Sequence, residues 1–532
     1  MKNLLFLFLL VLLVKQINAQ SFPYDVQLEP VAVPNLIGVQ SYSYGQYDGK
    51  WLIVGGRLDG LHQRQPFASF SLAGHNESLI VVDPVSLETW SASLNAQSQN
   101  IREHLRTTNA VFIQDSIYLY VFGGYGYSTI AGDHKTFDNL TIINLPGIMD
   151  AIENNQSISP FIFQTSDYRF AVTGGRIGKI NNVYHIVGGQ KFDGRYNPMN
   201  NPTFVQQYTN EIRRFEMSFD GTNFNVNHLS YFSDSVNLHR RDFNVVPQIF
   251  PNGNEGLTAF SGVFQQTVDL PFLNSVDIDS SGYFVNNSFT QYFNHYECAF
   301  LPAYSASNNA MNTIFFGGIA RYYESNGTLI TDDNVPFVKT IARVTRESNG
   351  NMSEHKLPVE MPGLLGAGAH FIHSENMPFS ENQILFLDSL SADTSLVGYI
   401  YGGINSTLPN IFFTNTGTQS SATSQIFRVN LIKNPSANIE PDESVRADYF
   451  QLQAYPNPFS EKILVNFYLS KSTDIYIELI DYKGAIVFNS LRSLKEGYQN
   501  QYINELEFLS NGIYFLRISD GKFSQSIKVL KN

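Results

Sequence analysis

The strongest constraint on this chain is a phrase that it repeats. An apolar, aromatic-rich run ends in paired glycines at Trp51-Leu52-Ile53-Val54-Gly55-Gly56 and again at Ile117-Tyr118-Leu119-Tyr120-Val121-Phe122-Gly123-Gly124. Further copies are Val183-Tyr184-His185-Ile186-Val187-Gly188-Gly189, Asn312-Thr313-Ile314-Phe315-Phe316-Gly317-Gly318 and Val397-Gly398-Tyr399-Ile400-Tyr401-Gly402-Gly403. A degenerate sixth copy, Leu257-Thr258-Ala259-Phe260-Ser261-Gly262, keeps only the second glycine. An apolar strand closed by a glycine pair at long intervals is the mark of stacked four-stranded units.

Each copy sits in a longer unit: a lead-in segment, the glycine-terminated strand, a long loop, then outer strands. Lead-ins are expected at 36–45, 105–113, 168–172, 243–246, 299–304 and 367–372. Outer strands are expected at 79–83 with 88–90, at 140–143, at 211–215 with 224–226, at 274–278 with 282–285, at 340–344 with 355–357, and at 426–431. The sixth unit lacks an outermost strand, because Lys433-Asn434-Pro435 ends it. Tyr24-Asp25-Val26-Gln27-Leu28 has strand character and no unit of its own. It is expected to complete the sixth unit, which would close the array and remove its free edges.

Composition agrees with an all-β chain. Phe (42), Tyr (29) and Gly (38) are abundant and charged residues are only 15%, with no long Ala/Glu/Leu/Lys stretches. At 532 residues the chain exceeds one compact core. The net charge of −13 argues against a nucleic-acid partner, which asks for a basic face. The single cysteine, Cys298, excludes an intrachain disulfide and reads as a small buried hydrophobe. Residues 1–19 read as a signal peptide: Lys2 opens it, 4–14 is a short apolar core, and Ile17-Asn18-Ala19 is a small-residue cleavage site. That core is too short to span a bilayer, and no later transmembrane segment is expected.

The repeat resembles the kelch repeat, whose units form the blades of a β-propeller. The resemblance runs from about Tyr24 to Asn434 and implies a six-bladed kelch-like β-propeller over 20–434. Two features depart from the family pattern. The downstream Tyr and Trp are mostly absent, Trp90 being the best survivor, and the spacing exceeds the roughly 50 residues of a kelch unit. The extra length falls in polar loops such as 195–202 and 410–424, where binding specificity is expected. The glycines are expected to serve the fold, because glycine tolerates positive φ and close backbone approach.

From 435 to 448 the chain is polar and proline-bearing, which reads as a linker. A compact tail over 449–532 follows, with strands expected at 463–469, 475–481, 486–488, 505–508, 512–518 and 523–530, and turns at Tyr482-Lys483-Gly484, Ser510-Asn511-Gly512 and Asp520-Gly521-Lys522. That is a small β-sandwich, immunoglobulin-like in plan. Tyr455-Pro456-Asn457-Pro458-Phe459, Asp481-Tyr482-Lys483-Gly484, Leu509-Ser510-Asn511-Gly512-Ile513-Tyr514-Phe515-Leu516-Arg517-Ile518 and Lys528-Val529-Leu530-Lys531 carry a close resemblance. It is to the C-terminal sorting domain of the type IX secretion system of Bacteroidota. The resemblance implies entry to the periplasm on the N-terminal signal, then engagement of the secretion machinery and release or tethering at the cell surface.

Candidate ligand-binding residues lie near the lead-ins: Arg106, Arg169, His239, Arg240, Arg241, Asp242 and Glu297. Aligning Arg241-Asp242-Phe243-Asn244 with Arg106-Thr107-Thr108-Asn109, and placing Arg169 likewise, would converge three arginines on one funnel. Such arginines suit bidentate capture of a carboxylate or acidic sugar; alternatively each bonds carbonyls and carboxylates and holds the ring. His104, His295 and His370 also lie near lead-ins. No metal-ligand spacing, helix-opening phosphate loop or nucleophile elbow is present, so neither metal nor cofactor is expected. Cys298 beside Tyr296 and His295 touches only weakly on copper-radical oxidases. The expected function is an exported binding or scaffold propeller that recognises a glycan or protein. The alternative is a carbohydrate-active enzyme, a sugar mutarotase or oxidase, using the funnel Arg, His and Glu.

Overall fold

A strand that is apolar at every position has no solvent face, so it must be buried on both sides. The computed structural model shows how. It describes residues 22–434, except 66, 198–202 and 326, and residues 450–532, except 451, 470–471, 482–484 and 521–523. The expected signal peptide and linker, and the turn Tyr482-Lys483-Gly484, lie outside the described residues. The chain divides into two compact units, one of them Tyr24–Asn434 and the other holding the C-terminal residues from Pro435.

Among its described residues the larger unit is all-β and holds six sheets built on four antiparallel strands, the glycine-terminated strand second among the four; in the fifth, Leu385–Phe386 adds a parallel strand beside the first. The first sheet runs Ser43–Tyr47, Lys50–Val54, Ser78–Asp83, Glu88–Ser93, and the second Val111–Asp115, Tyr118–Phe122, Asn139–Asn144, Ile162–Ser166. The third runs Arg176–Ile180, Val183–Val187, Glu211–Phe219, Phe224–His228, and the fourth Asn244–Ile249, Glu255–Phe260, Ser275–Ile278, Tyr283–Asn286. The fifth runs Ala299–Ser305, Ala310–Phe316, Thr340–Arg346, Met352–Glu360. The sixth runs Ala369–His373, Thr394–Gly402, Ile426–Lys433 and, outermost, the N-terminal strand Tyr24–Val31, which pairs from Tyr24 against Lys433 to Val31 against Ile426.

Side-chain alternation shares each glycine-terminated strand between two neighbours. Leu52 and Val54 pack with Leu119 and Val121 of the second sheet, whereas Trp51 and Ile53 pack with Tyr399 and Tyr401 of the sixth. Tyr120 and Phe122 turn the other way, onto Tyr184, Ile186 and Phe215 of the third. Further clusters join the third sheet to the fourth and the fourth to the fifth, and Phe316 stacks on Phe371 between the fifth and sixth. Each fully buried large side chain contributes about 1.5–3 kcal/mol by leaving water.

Two sets of backbone hydrogen bonds also pass from sheet to sheet. In the first, the N–H that closes each repeat donates to the lead-in of the next unit: Gly56 to Thr107 (2.9 Å), Gly124 to Val172 (2.8 Å), Gly189 to Arg240 (2.7 Å), Gly262 to His295 (3.0 Å), Gly318 to Leu365 (2.8 Å) and Gly403 to Val39 (2.8 Å). In the second, Asn109, Gly174, Asp242, Glu297, Gly368 and Ser41 each donate to the carbonyl of the residue one unit earlier, at 2.8–3.1 Å. The last bond, Ser41 N–H to Gly368 C=O, returns to the first unit, so this set is a closed cycle. The first glycine of a pair lies against the same neighbouring carbonyl. Gly317 has φ +65°, and a Cβ there would stand 2.2 Å from the Leu365 oxygen. In the degenerate fourth copy Ser261 takes this place at φ 48°, its hydroxyl donating to the Phe272 carbonyl at 2.7 Å.

Several boundaries differ from the sequence reading. The third lead-in is not 168–172, which includes the short turn Tyr168–Phe170 capped by Asp167; the strand is Arg176–Ile180, after Gly174-Gly175. The first, second and fourth lead-in strands also begin later than expected, at Ser43, Val111 and Asn244. The second sheet has a fourth strand, Ile162–Ser166, after an unexpected helix, Leu145–Glu153. Asn144 caps that helix by accepting the Gly147 N–H, and Leu145, Ile148, Met149 and Ile152 bury one face. The long loops after Gly-Gly are partly ribbons: Tyr125–Ser128 with Asp133–Thr136, Gln190–Gly194 with Phe204–Tyr208, Tyr322–Ser325 with Thr328–Thr331, and Ile404–Ser406 with Ser420–Ala422.

Among its described residues the C-terminal unit has two sheets, Gln453–Tyr455, Ile463–Leu469, Gly497–Ile503 and Ile486–Leu494, Thr473–Asp481, Gly512–Ser519, Ser524–Lys531. One core cluster joins them, with Phe459, Val465, Ile477 and Leu516 all buried. Residues 505–508 are not a strand: Leu506 plugs the core from a loop, and the partner of Ile463–Leu469 is Gly497–Ile503, whose polar alternation hid it.

Crowding and φ can be separated by substitution. Gly49→Ala meets nothing within 4 Å, so only its φ of +74° is strained, at a cost of about 1 kcal/mol. Gly317→Ala meets the Leu365 carbonyl as well and should cost about 3 kcal/mol. Melting temperatures of the two variants should differ accordingly; equal losses would discount the contact between units.

Candidate functional site

The closed cycle of backbone bonds lies at the wall of a cavity of about 270 Å³. Ser41, Asn109, Asp242, Glu297 and Gly368, five of the six cycle residues, line it. The ribbons and loops that follow the glycine pairs supply most of the rest, including Phe70, Tyr125, Gln190, Phe192, Tyr196 and Gln206. Phe70, Tyr125 and Phe192 form successive edge contacts at 5.1 and 5.3 Å, and Tyr196 meets His62 at 4.6 Å. Aromatic faces therefore stand beside planar hydrogen-bonding groups.

The charges in this wall are already matched. Arg241 donates from Nε to the Tyr208 hydroxyl at 3.0 Å and from Nη1 to Asp242, and it lies over the Phe264 ring at 5.1 Å. Asp242 also accepts from Asn109 Nδ2 at 2.9 Å. These residues belong to alternate units, and their bond passes Gly174, where a Cβ would stand 2.6 Å from the Asp242 carboxylate. Arg57, 1% exposed, pairs with Asp59 through Nε at 2.6 Å and Nη2 at 2.5 Å. Glu297 pairs with Arg176 and stands 3.9 Å from His370. Burial, helped by Arg241 and Arg57, pulls the His62 imidazole down to about 4, so it is neutral.

Of the residues singled out from the sequence, Arg241, Asp242 and Glu297 come together here; Arg106, Arg169, His239 and Arg240 do not. Arg106 pairs with Glu77 at 2.8 Å, and Arg169 with Asp167 at 2.6 Å, with 40% of its side chain exposed. His239 stacks on Tyr208 and meets Asn210 at 2.8 Å. Arg240 is 1% exposed and donates to the carbonyls of Asn237, Ser261 and Asn274, a clamp on its own sheet. The three-arginine alignment was out of step. Isolated bridges pair Thr108 with Tyr125, Thr173 with Gln190 and Arg241 with Val263, so the counterparts of Arg241 are threonines. Arg57, Gln190 and Tyr196 lie outside the expected set, although Gln190 directly follows a glycine pair and that offset marks it.

A second cavity, of about 900 Å³, is lined by the first strands of all six sheets, through Tyr44, Phe112, Arg176, Val245, Ala299 and His370 among others. Cys298 faces this side, bonded to Asn244 and pushed up to about 12 by burial, whereas Tyr296 lines the other cavity. The two are not built as a crosslink site. His295 is a satisfied core group, meeting the Gln291 carbonyl at 2.9 Å and accepting the Arg321 N–H at 3.0 Å. Among the described residues no group of three or more His, Cys, Asp or Glu side chains is placed to hold a metal ion.

In the C-terminal unit the motif residues act on the fold. Asn457 donates to the Lys528 carbonyl at 3.0 Å and accepts the Leu530 N–H at 2.9 Å, stitching the first motif to the last strand. Phe459 and Tyr514 are buried in the core, the Tyr514 hydroxyl donating to Ser510 at 2.8 Å. Pro456, Pro458, Asn511 and Gly512 lie in or beside the turns, and Tyr455 is 52% exposed.

Residues 453–532 match the family of secretion system C-terminal sorting domains. The chain is therefore exported through type IX secretion, to the cell surface or beyond, and its tail engages that machinery. No helix among the described residues is long and apolar enough to cross a membrane. No curated protein matches the chain. Among solved structures it is similar to one titled "Structure of YjhT", at 12% identity and a TM-score of 0.41, over 75% of this chain and 100% of that one.

Two outcomes follow. Deleting 449–532 should leave the remaining chain in the periplasm, as read by fractionation and immunoblot; normal appearance outside the cell would contradict the tail's role. Acid should also destabilise the chain. His62 and His295 are lowered to about 4 and His104 to about 3, chiefly by burial. Between the ordinary value of 6.5 and these values the unfolded chain binds protons that the native one does not. Stability should be level above pH 7 and fall from about 6.5 towards 4, and His104→Gln should make that slope shallower in urea titrations.

Proposed function

We propose that Tyr24–Asn434 is a six-bladed kelch-like β-propeller, spanning 20–434 with its leading residues, that binds a small glycan in the cavity walled by Asp242 and Tyr196. The closed cycle of backbone bonds supports the ring, as do the packing of each sheet on the next and the first strands' shared lining of one cavity. The tail is read as an immunoglobulin-like sandwich over 449–532 that delivers this binding module to the surface or releases it.

The observation that carries the ligand class is the wall itself. Rings of Phe70, Tyr125 and Tyr196 offer apolar faces to a sugar's C–H surface, and Gln190, Asn109 and Asp242 offer planar groups to its hydroxyls. The arginines there are already paired with carboxylates, so a neutral glycan fits better than an acidic one. Catalysis by a mutarotase or oxidase would ask for free acid and base groups. Asp242 is held by Arg241 and Glu297 by Arg176, which favours binding over turnover.

A glycan array probed with the secreted protein tests this. Tyr196→Ala should weaken the best glycan about tenfold or more at unchanged melting temperature, whereas Arg106→Ala and Arg169→Ala should leave affinity intact. Loss on Arg169→Ala but not on Tyr196→Ala would move the site elsewhere.

A further inference from the structure

The larger cavity has its own chemistry. Its near end abuts the cycle of backbone bonds, because the strands that line it begin one or two residues after Gly174, Glu297 and Gly368. Arg176 and His370 line that end. Lys179 lies three residues farther along its strand, about 10 Å outward. Tyr44, Phe112 and Phe300 supply aromatic wall.

The two cavities share no lining residue. Cycle side chains are bonded to one another and to the second cavity's wall: Ser41 donates to Gln40 at 2.6 Å, Asn109 to Asp242 at 2.9 Å, and Glu297 pairs with Arg176. Arg176 thus has its back to the first cavity and its free side to the second. Nη1 donates to the Gly175 carbonyl at 2.8 Å and Nη2 pairs with Glu297, while Nε has no protein partner among the described residues. Burial pulls the guanidinium down to about 10, only partly offset by Asp242. A cation held in a poorly solvated cavity end with a donor to spare is a place for an anion. Lys179 is half spoken for, pairing with Asp115 at 2.7 Å.

We propose that this inner-strand cavity is a second ligand site, independent of the first, that takes a carboxylate carried on a ring-sized body. The carboxylate meets Arg176 at the cavity's inner end and the ring lies among Tyr44, Phe112 and Phe300. In place of the convergent arginine clamp expected from the sequence stands a single arginine, Arg176, outside that expected set.

The test is titration calorimetry of the secreted protein with glucuronate, cyclohexanecarboxylate and glucose. At least one carboxylate should bind and glucose should not compete; the two acids show whether the body is a sugar or an apolar ring. Arg176→Gln should weaken the bound acid at least tenfold. Should that variant lose its melting transition, Lys179→Met serves instead and should weaken binding several-fold. Tyr196→Ala and Arg241→Ala, in the first cavity, should leave acid binding unchanged, so the two sites fail separately. Absence of binding by either acid at millimolar concentration overturns the proposal. So does equal binding by the Arg176→Gln protein, or loss of acid binding in Arg241→Ala.

Discussion

The larger unit depends on one recurring contact: a glycine N–H at the end of a buried strand donating to a carbonyl in the next unit. Antiparallel pairing holds each sheet together but does nothing to fix one sheet against its neighbour. Side-chain packing alone tolerates sliding, since apolar contacts are not directional. The bond from Gly124 to the Val172 carbonyl, and its five equivalents, add direction and distance. In five of the six places the residue before the donor has no Cβ in the way of that carbonyl, and in the fourth unit Ser261 stands there at a positive φ. The glycine pair is thus two requirements written side by side: one residue makes the bond and the other clears the approach.

The same contacts create the place where chemistry can happen. Five of the six lead-ins turn through a positive-φ residue, at Ser41, Asn109, Gly174, Asp242 and Gly368, before their strands begin. Side chains at those positions, together with Glu297, are forced together whatever they are. The protein fills them with two polar side chains and then a glycine, twice over, so that Asn109 and Asp242 bond across Gly174. The result is a polar partition with an aromatic-rich cavity on one side and a strand-lined cavity on the other. The paired charges within it explain how Arg57, Arg241 and Arg176 can be buried at all, since an isolated buried charge would cost several kcal/mol.

Much of this was legible locally. The unbroken apolar runs announced strands buried on two faces, and the spare segment at Tyr24–Leu28 announced a sixth sheet in need of an edge; it pairs with Ile426–Lys433 as expected. What failed did so for identifiable reasons. Residues 168–172 look like a lead-in strand because Phe170, Ala171 and Val172 are apolar, yet those side chains are buried from a turn. Helix Leu145–Glu153 carries its own signal, Asn144 followed by Leu145, Ile148, Met149 and Ile152, but a short helix inside a β repeat has no counterpart in the other units. Of the site, proximity to lead-ins marks Arg241, Asp242 and Glu297, while Arg106 and Arg169 stand two and four residues out of step with the bridges at Thr108 and Thr173.

By itself the sequence determined the all-β character, the number of glycine-terminated strands, the separate C-terminal unit and the export route, because each depends on residue type and local spacing. Tertiary structure alone decided which polar residues meet. Arg57 and Arg241, or Arg176 and Glu297, are separated by more than a hundred residues, and nothing in either neighbourhood records the other. Their juxtaposition comes from backbone bonds between units, and side chains at neighbouring positions point to opposite sides of that partition. A shift of one residue is invisible in composition but moves a charge from one cavity to the other.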